Sequence, residues 1–593
     1  MKTRLLLFLM LISLANAPST RSANQNGGVQ TSFVEPPSLK EGFSGFQPYL
    51  IAASDQTPSA PEDQLWVVRA YYSDRQMLID LASWIEPWEV HPDQGYLVVG
   101  VTPLEYERMR AMGFRLEIDQ RLTQAVNQPH LSLPGQTSGI PGYPCYRTVE
   151  ETYATAEALA ANYPDLATWV DIGDSWDKLQ PGGADGYDLM VLRLTNSQIP
   201  GPKPKLFAMG SVHAREYPPA EILTRFAEGL LADYGVDPDV TWILDYHEIH
   251  LLLQANPDGR KQAEAGLSWR KNTDEDYCTA TPTRRGADLN RNFEFQWACC
   301  GGSSSNECNE TYHGASAASE PEVQAIQAYL VAQFPDQRGP ALSDPAPEDA
   351  VGVFVDLHTY GGLVMWPWGF GATPTPNDVA LTTLGRKMAY FNAYTPVQIT
   401  DLYPADGNTV DFAYGDLGLA AYGMEMGTAF FEDCTTFEND TLPDNLPVLD
   451  YLARIAGSPY REPAGPDALS VAANPITVTV GAPISLTATI DDTLYNQSNG
   501  VEPTQTITSA VYTIDVPPWI TATAPITYSM TAIDGAFESA VEAVGALVDT
   551  GELSEGRHTI FVRGRDADGN WGPVSAAFIY IVHYKFYLPA IYK

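Results

Sequence analysis

The sequence predicts an α/β domain, with a smaller α+β unit ahead of it and an all-β sandwich behind it. Three observations carry this. From about Tyr143 to Gly457, strand-like runs alternate with helix-like ones, the pattern of a sheet covered by helices. From about residue 464 the texture changes to strict apolar–polar alternation broken by turn residues, which indicates strands exposed on one face. At 593 residues the chain is also too long for one hydrophobic core, so several domains are required.

The first residues, "MKTRLLLFLMLISLANA", combine Lys2 and Arg4 with an apolar run and small residues. This is the pattern of a secretory signal peptide, assigned to 1–23 because Pro18 directly follows the first A-x-A and pushes cleavage toward Ala23. Residues 24–64 are polar and rich in Pro, Ser and Gln, a leader or linker. "LWVVRAYY" (65–72) then reads as a strand, followed by a helix with Met77, Leu78, Leu81, Trp84 and Ile85 on one face. The strand "GYLVVGV", the helix "PLEYERMRAM" and the strand "FRLEI" complete a compact α+β unit at 65–119. The stretch after it, 121–142, is expected to be an exposed, cleavable linker.

In the α/β region (141–459) "KLFAMGSV", "IHLLLQA" and "VGVFVDL" are short apolar runs suited to buried strands. "EILTRFAEGLLADYG" repeats apolar residues at helical spacing and stops at Gly235. After it, "ITVTV", "ISLTATI" and "HTIFVRG" mark strands of an immunoglobulin-like sandwich at 464–582. The aromatic tail 583–593 is open to two readings, a last strand or a surface-retention signal. "DADGN" (566–570) reads as a tight hairpin turn, with a Ca2+ loop as the unsupported alternative.

A formal net charge of −39 argues against nucleic acid and anionic membranes as partners. No run after the leader approaches the roughly 20 apolar residues that a bilayer requires, so no membrane span is expected and the chain is read as secreted. Six cysteines in an exported chain favour three disulfides over a zinc knuckle at "CCGGSSSNEC", and leave the pairing open.

Nine histidines narrow the chemistry. In "HAREYPPAE", His213 and Glu216 stand three apart where a strand-like run enters a helix whose first turn holds Pro218 and Pro219. Such a pair can converge on one metal ion, but a catalytic zinc takes a third protein ligand. His247 and His250 lead into a strand, where positions three apart face opposite sides, and read as structural. His313 follows a loop without an acid in helical register. His358 ends the apolar strand "VGVFVDL" and opens a turn-rich loop, the edge where α/β sheets place functional groups, and is the expected third ligand.

With these residues in view, 143–457 resembles the zinc metallocarboxypeptidases of the carboxypeptidase A and T type. Several motifs occur in that family's order: "HARE", "SWRKN", "GADLNRNF", "DLHTY", "LYPADGNTVDF" and "YGMEMGT". The resemblance implies a mixed twisted sheet flanked by helices, with one Zn2+ held by His213, Glu216 and His358. It implies Glu425 as general base and Arg270 as the donor to the transition state. Asn290 and Arg291 would grip the substrate's terminal carboxylate, with Tyr403 as the mobile tyrosine and Val410 near the base of the specificity pocket. Asp288 would orient His213 through its other ring nitrogen. Elementary chemistry agrees: a carboxylate can take and return a proton, and an arginine is a fixed charged donor to an oxyanion or carboxylate.

The resemblance further implies that residues 24–140 form a propeptide, with the unit at 65–119 folded over the active site and removed by an activating protease. Peptide and protein C-termini would be the substrates. Val410 and the uncharged Asn408 favour neutral or hydrophobic terminal residues, while Asp406 in the same loop could attract Lys or Arg. The sandwich is expected to bind a surface or polymer, or to act as a spacer. Two other readings stand beside the carboxypeptidase: a cell-wall peptide hydrolase of the same fold, and a surface-binding protein whose metal site has lost activity.

Overall fold

The computed structural model describes residues 65–181, 186–279, 281–520 and 525–583. The signal peptide, the segment 24–64 and the tail from 584 lie outside the described residues. Strands β1 (Trp66–Tyr71), β2 (Glu89–His91), β3 (Tyr96–Val101) and β4 (Arg115–Ile118) form an antiparallel sheet in the order β2-β3-β1-β4. Its helices are Arg75–Ala82, capped by Asp74, and Pro103–Ala111, opened by a capping box between Thr102 and Glu105. The first helix stops at Ala82, so Trp84 and Ile85 enter the core from the following turn rather than from a helical face. Met77 is only partly buried. The segment expected to be an open linker begins with a helix, Gln120–Val126, which Asp119 caps and Thr123 ties to β1; Leu131 and Leu133 beyond it are exposed.

The central sheet contains β5 (Ala167–Asp174), β6 (Asp188–Leu194), β7 (Lys205–Gly210), β8 (Glu248–Leu252), β9 (Val353–His358), β10 (Leu363–Trp366), β11 (Thr395–Gln398) and β12 (Ala420–Glu425). Their order is β11-β10-β12-β9-β7-β8-β6-β5. The four middle strands β12, β9, β7 and β8 run parallel, and antiparallel pairings flank them, so the sheet is mixed. Buried on both faces, β7 and β9 are mostly apolar, as helix-covered parallel strands are, with Asp356 and His358 as the polar exceptions of β9. Register aligns Glu425 at the end of β12 with His358 at the end of β9. One sheet edge therefore gathers the carboxyl ends of three adjacent strands.

The C-terminal domain is built from β13 (Asp467–Asn474), β14 (Thr477–Thr479), β15 (Ile484–Asp491), β16 (Ile507–Ile514), β17 (Tyr528–Ala532), β18 (Val541–Val548), β19 (Gly556–Asp566) and β20 (Ser575–Val582). Alternate residues such as Ile484, Leu486 and Ile490 face its core. It is not a loosely tethered module. Phe561, Val574 and Ala576 join the apolar core of the α/β domain, and Trp519 packs on Trp242 and His247. "DADGN" closes as a hairpin turn in which Asp566 accepts from the backbone and side chain of Asn570.

The cysteines pair as Cys145–Cys434, Cys278–Cys308 and the adjacent Cys299–Cys300. These three bridges are the number expected, and they leave no thiol of "CCGGSSSNEC" for a zinc knuckle.

Candidate metal centre and active-site cleft

The chain leaves β7 at Gly210 and turns into the helix Pro218–Asp233, whose first two positions are the prolines of "HAREYPPAE". His213 and Glu216 sit in that turn, both almost fully buried. His213 Nδ1 lies 2.7 Å from Glu216 Oε1. His358, arriving at the end of β9, places its Nδ1 3.1 Å from His213 Nδ1 and 3.2 Å from Glu216 Oε2. Among the described residues, these three form the one cluster whose donor atoms lie close enough to share a metal. Two imidazole nitrogens and a carboxylate form a donor set suited to zinc, and their mutual approach fits one shared cation better than neutral side-chain packing.

Each ring's other nitrogen lies beside a carboxylate. His213 Nε2 is 3.3 Å from Asp288 Oδ1, and His358 Nε2 is 3.0 Å from Asp356 Oδ2. The two Nδ1 atoms point together. Burial works to raise the Glu216 carboxyl, but the adjacent His213 and His358 outweigh it and hold the group well below its usual range.

Glu425 is partly exposed to the cleft beside this centre. Burial raises its carboxyl well above the usual range; His358 opposes this, and the nearby carboxylates of Glu216 and Glu86 reinforce it. A cavity of about 60 Å3 holds Glu425, His213, His358, Asn290, Arg291, Tyr403 and Val410 in its lining. Its walls are otherwise largely apolar, with Met365, Ile399, Leu402, Ala405 and Gly423. Arg291 is fixed by its Nε–H to Gly302 O (3.1 Å) and its Nη1–H to Asn290 O (2.7 Å). Asn290 is more occupied than expected: Oδ1 accepts from Thr409 N at 2.9 Å, and Nδ2 lies 3.3 Å from His358 Nε2.

The structure places Asp406 and Arg270 as follows. Asp406 does not line the pocket. Its Oδ2 accepts from Cys300 N (2.9 Å) and Gly302 N (3.1 Å), turning the carboxylate toward the Cys299–Cys300 loop. Arg270 is not free to meet a ligand: it pairs with Asp288 Oδ2 at 2.9 Å and with Glu86 of the small α+β unit. The same Glu86 oxygen lies 2.9 Å from Arg215 Nη2, and Arg215 also pairs with Glu310 at 2.7 Å. Sequence reasoning missed Glu86, Arg215 and Glu310. Arg215 lies inside the "HARE" motif and could have been found there; Glu86, one acid within "SWIEPWEV", gave no signal.

The small unit also reaches the α/β domain elsewhere. Tyr403 packs against its core, and Arg75 donates to the backbone carbonyls of Thr400 and, at 3.1 Å, Asp401. Arg284 forms a two-pronged pair with Glu105. Burial pushes the nearby Lys271 ammonium down to about 7, and backbone carbonyls of Glu307 and Asn309 accept from it.

Residues 152–438 match the model of the zinc carboxypeptidase family. Carboxypeptidase A1 of Sus scrofa is 30% identical over 308 residues, 49% of this chain and 64% of that protein. The match thus covers less than two thirds of that relative. The zinc carboxypeptidase of Saccharothrix mutabilis subsp. capreolus is 29% identical over 353 residues, 56% of this chain and 75% of that protein. In fold, the chain resembles the carboxypeptidase A of Helicoverpa armigera with a TM-score of 0.55 at 21% identity, over 67% of this chain and 98% of that one. The His213, Glu216 and His358 cluster, at the carboxyl edge of a mixed sheet, thus lies wholly within the stretch that matches the zinc carboxypeptidase family.

Proposed function

We propose that the chain is a secreted zinc metallocarboxypeptidase, made as a zymogen, that removes neutral or hydrophobic residues from the C-termini of peptides and proteins. The observation that carries this reading is the convergence of His213, His358, Arg291 and Glu425 on one cavity with an otherwise largely apolar wall. Zinc held by His213, Glu216 and His358 would supply a Lewis acid and an acidified water.

The chain's own groups do the rest. Glu425 takes a proton from the attacking water and returns it to the leaving amine; its raised affinity for protons suits both steps. Arg291, held by Gly302 O and Asn290 O, binds the terminal carboxylate, so that only a free C-terminus is held in register. Asn290 positions Arg291 and the helix that begins at Thr409. Val410 meets the terminal side chain with an apolar surface. Arg270 donates to the developing oxyanion once Glu86 is withdrawn.

Residues 24–140 act as the propeptide in this reading, removed by a protease that cuts the exposed stretch around Leu131 and Leu133. Glu86 is its inhibitory group, an internal carboxylate on Arg270, the donor that the reaction would use, and on Arg215. The domain at 464–582 is read as an immunoglobulin-like sandwich that binds a surface or polymer, or spaces the enzyme. Secretion follows from the leader pattern at 1–23.

The terminal-residue preference is tested with processed protein and peptides differing only at the last position. Phe- and Leu-ended peptides are expected to be trimmed faster than Lys-ended ones. Faster release of Lys would overturn the assignment of Val410 and Asn408.

A further inference from the structure

The C-terminal β domain also touches the α/β domain through the start of β13 and the loop joining β15 and β16, and this contact is a fitted one. Lys387 Nζ, fully buried, pairs with Asp467 Oδ2 at 2.6 Å and sits 4.0 Å from the centre of the Tyr495 ring. Arg386 pairs with Glu502 at 2.6 Å and donates to Asn499 at 2.8 Å, and Thr383 donates to Glu502 at 2.6 Å. All three partners on the α/β side belong to the helix Asp378–Asn392.

Asn496 stands at the end of that helix. The last carbonyls of a helix have no partner inside it. Asn496 Nδ2 donates to one of them, Ala389 O, at 3.2 Å, and to Tyr394 O, just beyond the helix, at 2.9 Å. Its backbone N–H donates to Arg386 O at 2.9 Å, and its Oδ1 accepts from Ser498 N at 2.8 Å. Two carbonyls on one side and an N–H on the other fix which way the amide points. Every polar atom of the side chain is engaged.

Tyr394 carries the contact to the cleft. Its hydroxyl oxygen accepts from Gly427 N at 3.1 Å and from Asn445 Nδ2 at 2.8 Å. Gly427 lies two residues past Glu425, at a positive φ of 67° that lets the chain turn away from β12. Between Tyr394 and Glu425 run Gly361 and Gly362, with no side chain to separate them. A Cβ at Gly361 would lie 3.6 Å from Glu425 Cβ, and one at Gly362 would lie 3.6 Å from the Tyr394 ring.

We infer that the β domain is a working part of the hydrolase, and that Asn496 is a positioning residue which, through Tyr394 and the Gly427 amide, fixes the exit of the strand bearing Glu425. This rests on the reading of Glu425 as the base, and it gives the domain a role distinct from binding a surface. A base held a few tenths of an ångström out of line loses turnover before it loses affinity.

The test uses the processed full-length chain with Asn496→Ala, Tyr394→Phe and the double variant. Hydrogen exchange is followed over 426–429, together with kcat and KM on a Phe-ended peptide. Each single variant is expected to speed Gly427 exchange and to lower kcat about five-fold with KM within about two-fold, as loss of one positioning hydrogen bond would. The double variant should fall no further than Tyr394→Phe, the mark of a shared path. Unchanged exchange and kcat in Asn496→Ala, additive losses, or a change in KM alone would overturn the inference. Tyr394→Phe removes one oxygen and leaves the docking intact, so if Asn496→Ala does not fold, unchanged exchange and kcat in Tyr394→Phe overturn it equally. A wild-type protein that trims no peptide would instead sink the carboxypeptidase reading, while the exchange data still report on the relay.

Discussion

Glu86 of the small α+β unit and Arg215 of the α/β domain, 129 residues apart in sequence, meet at 2.9 Å in a nearly dry contact. The same carboxylate oxygen also binds Arg270. One acid thus bridges two buried guanidiniums, which Asp288 and Glu310 pair from their other sides. Burying those cations costs several kcal/mol unless they are paired, so Glu86 stabilises the docking of the small unit, and in the zymogen reading it holds the cleft closed.

Replacing Glu86 by Gln should therefore do two things to the uncleaved chain. Peptidase activity is expected to rise at least about ten-fold as the small unit loosens, and the melting temperature to fall by a few degrees as Arg215 and Arg270 each lose one of their two carboxylate partners. Peptide assays and calorimetry on the uncleaved protein check both. An uncleaved variant that stays silent with an unchanged melt would remove Glu86 from this role.

Glu425 and His358 should separate chemistry from metal binding. Glu425→Gln is expected to keep its zinc and lose turnover by about 10²–10⁴-fold. His358→Ala should lose both, because it removes a donor from a three-residue set. Zinc content by mass spectrometry beside kcat distinguishes them. Wild-type turnover in Glu425→Gln would mean that another group takes the proton.

Val410 should control which residue is released. Val410→Asp places a carboxylate in the apolar wall and is expected to shift the ratio of kcat/KM toward Lys- or Arg-ended peptides by about 10²-fold or more. Asp406→Asn, by contrast, should leave that ratio alone, since Asp406 faces the Cys299–Cys300 loop. Peptides varied only at the terminal residue decide the matter.

Glu322 gives a pH dependence of stability away from the cleft. Fully buried, with Glu320 and Asp258 as carboxylate neighbours, its carboxyl is pushed up to about 8 by desolvation first and those charges second. A carboxyl whose folded pKa is raised favours the folded state fully below its unfolded pKa, and that contribution is lost as pH climbs toward 8. Glu322→Gln should therefore stabilise the protein by on the order of 2 kcal/mol at pH 8–9 relative to its effect at pH 4–5. Melting curves at the two pH values read this directly, and an equal shift at both would contradict it.

Much of this molecule was legible in its sequence because the signals were local. The apolar run "VGVFVDL" ending in His358 and the "HARE" turn ahead of two prolines each state their own geometry. So does the strict alternation of the C-terminal strands. Long-range pairing was not legible. Nothing in "SWIEPWEV" reveals that Glu86 crosses to Arg215 and Arg270, because an acid between aromatics is an ordinary surface residue until a second domain covers it. The same is true of Asp406, whose partners are backbone amides of a distant loop, and of Asn496, whose partners are the carbonyls at the end of another domain's helix. The helix Gln120–Val126 escaped notice for a different reason: seven polar-rich residues have little intrinsic helicity, and the Thr123 contact to β1 supplies what propensity does not.

The most direct measurement is mass spectrometry of a mixed peptide set incubated with the processed protein, with and without a zinc chelator. The expected result is a ladder of products shortened one residue at a time from the C-terminus, abolished by the chelator and absent for peptides with an amidated C-terminus. Intact peptides in the presence of bound zinc and a removed propeptide, or cleavage that ignores the free carboxylate, would contradict the carboxypeptidase reading.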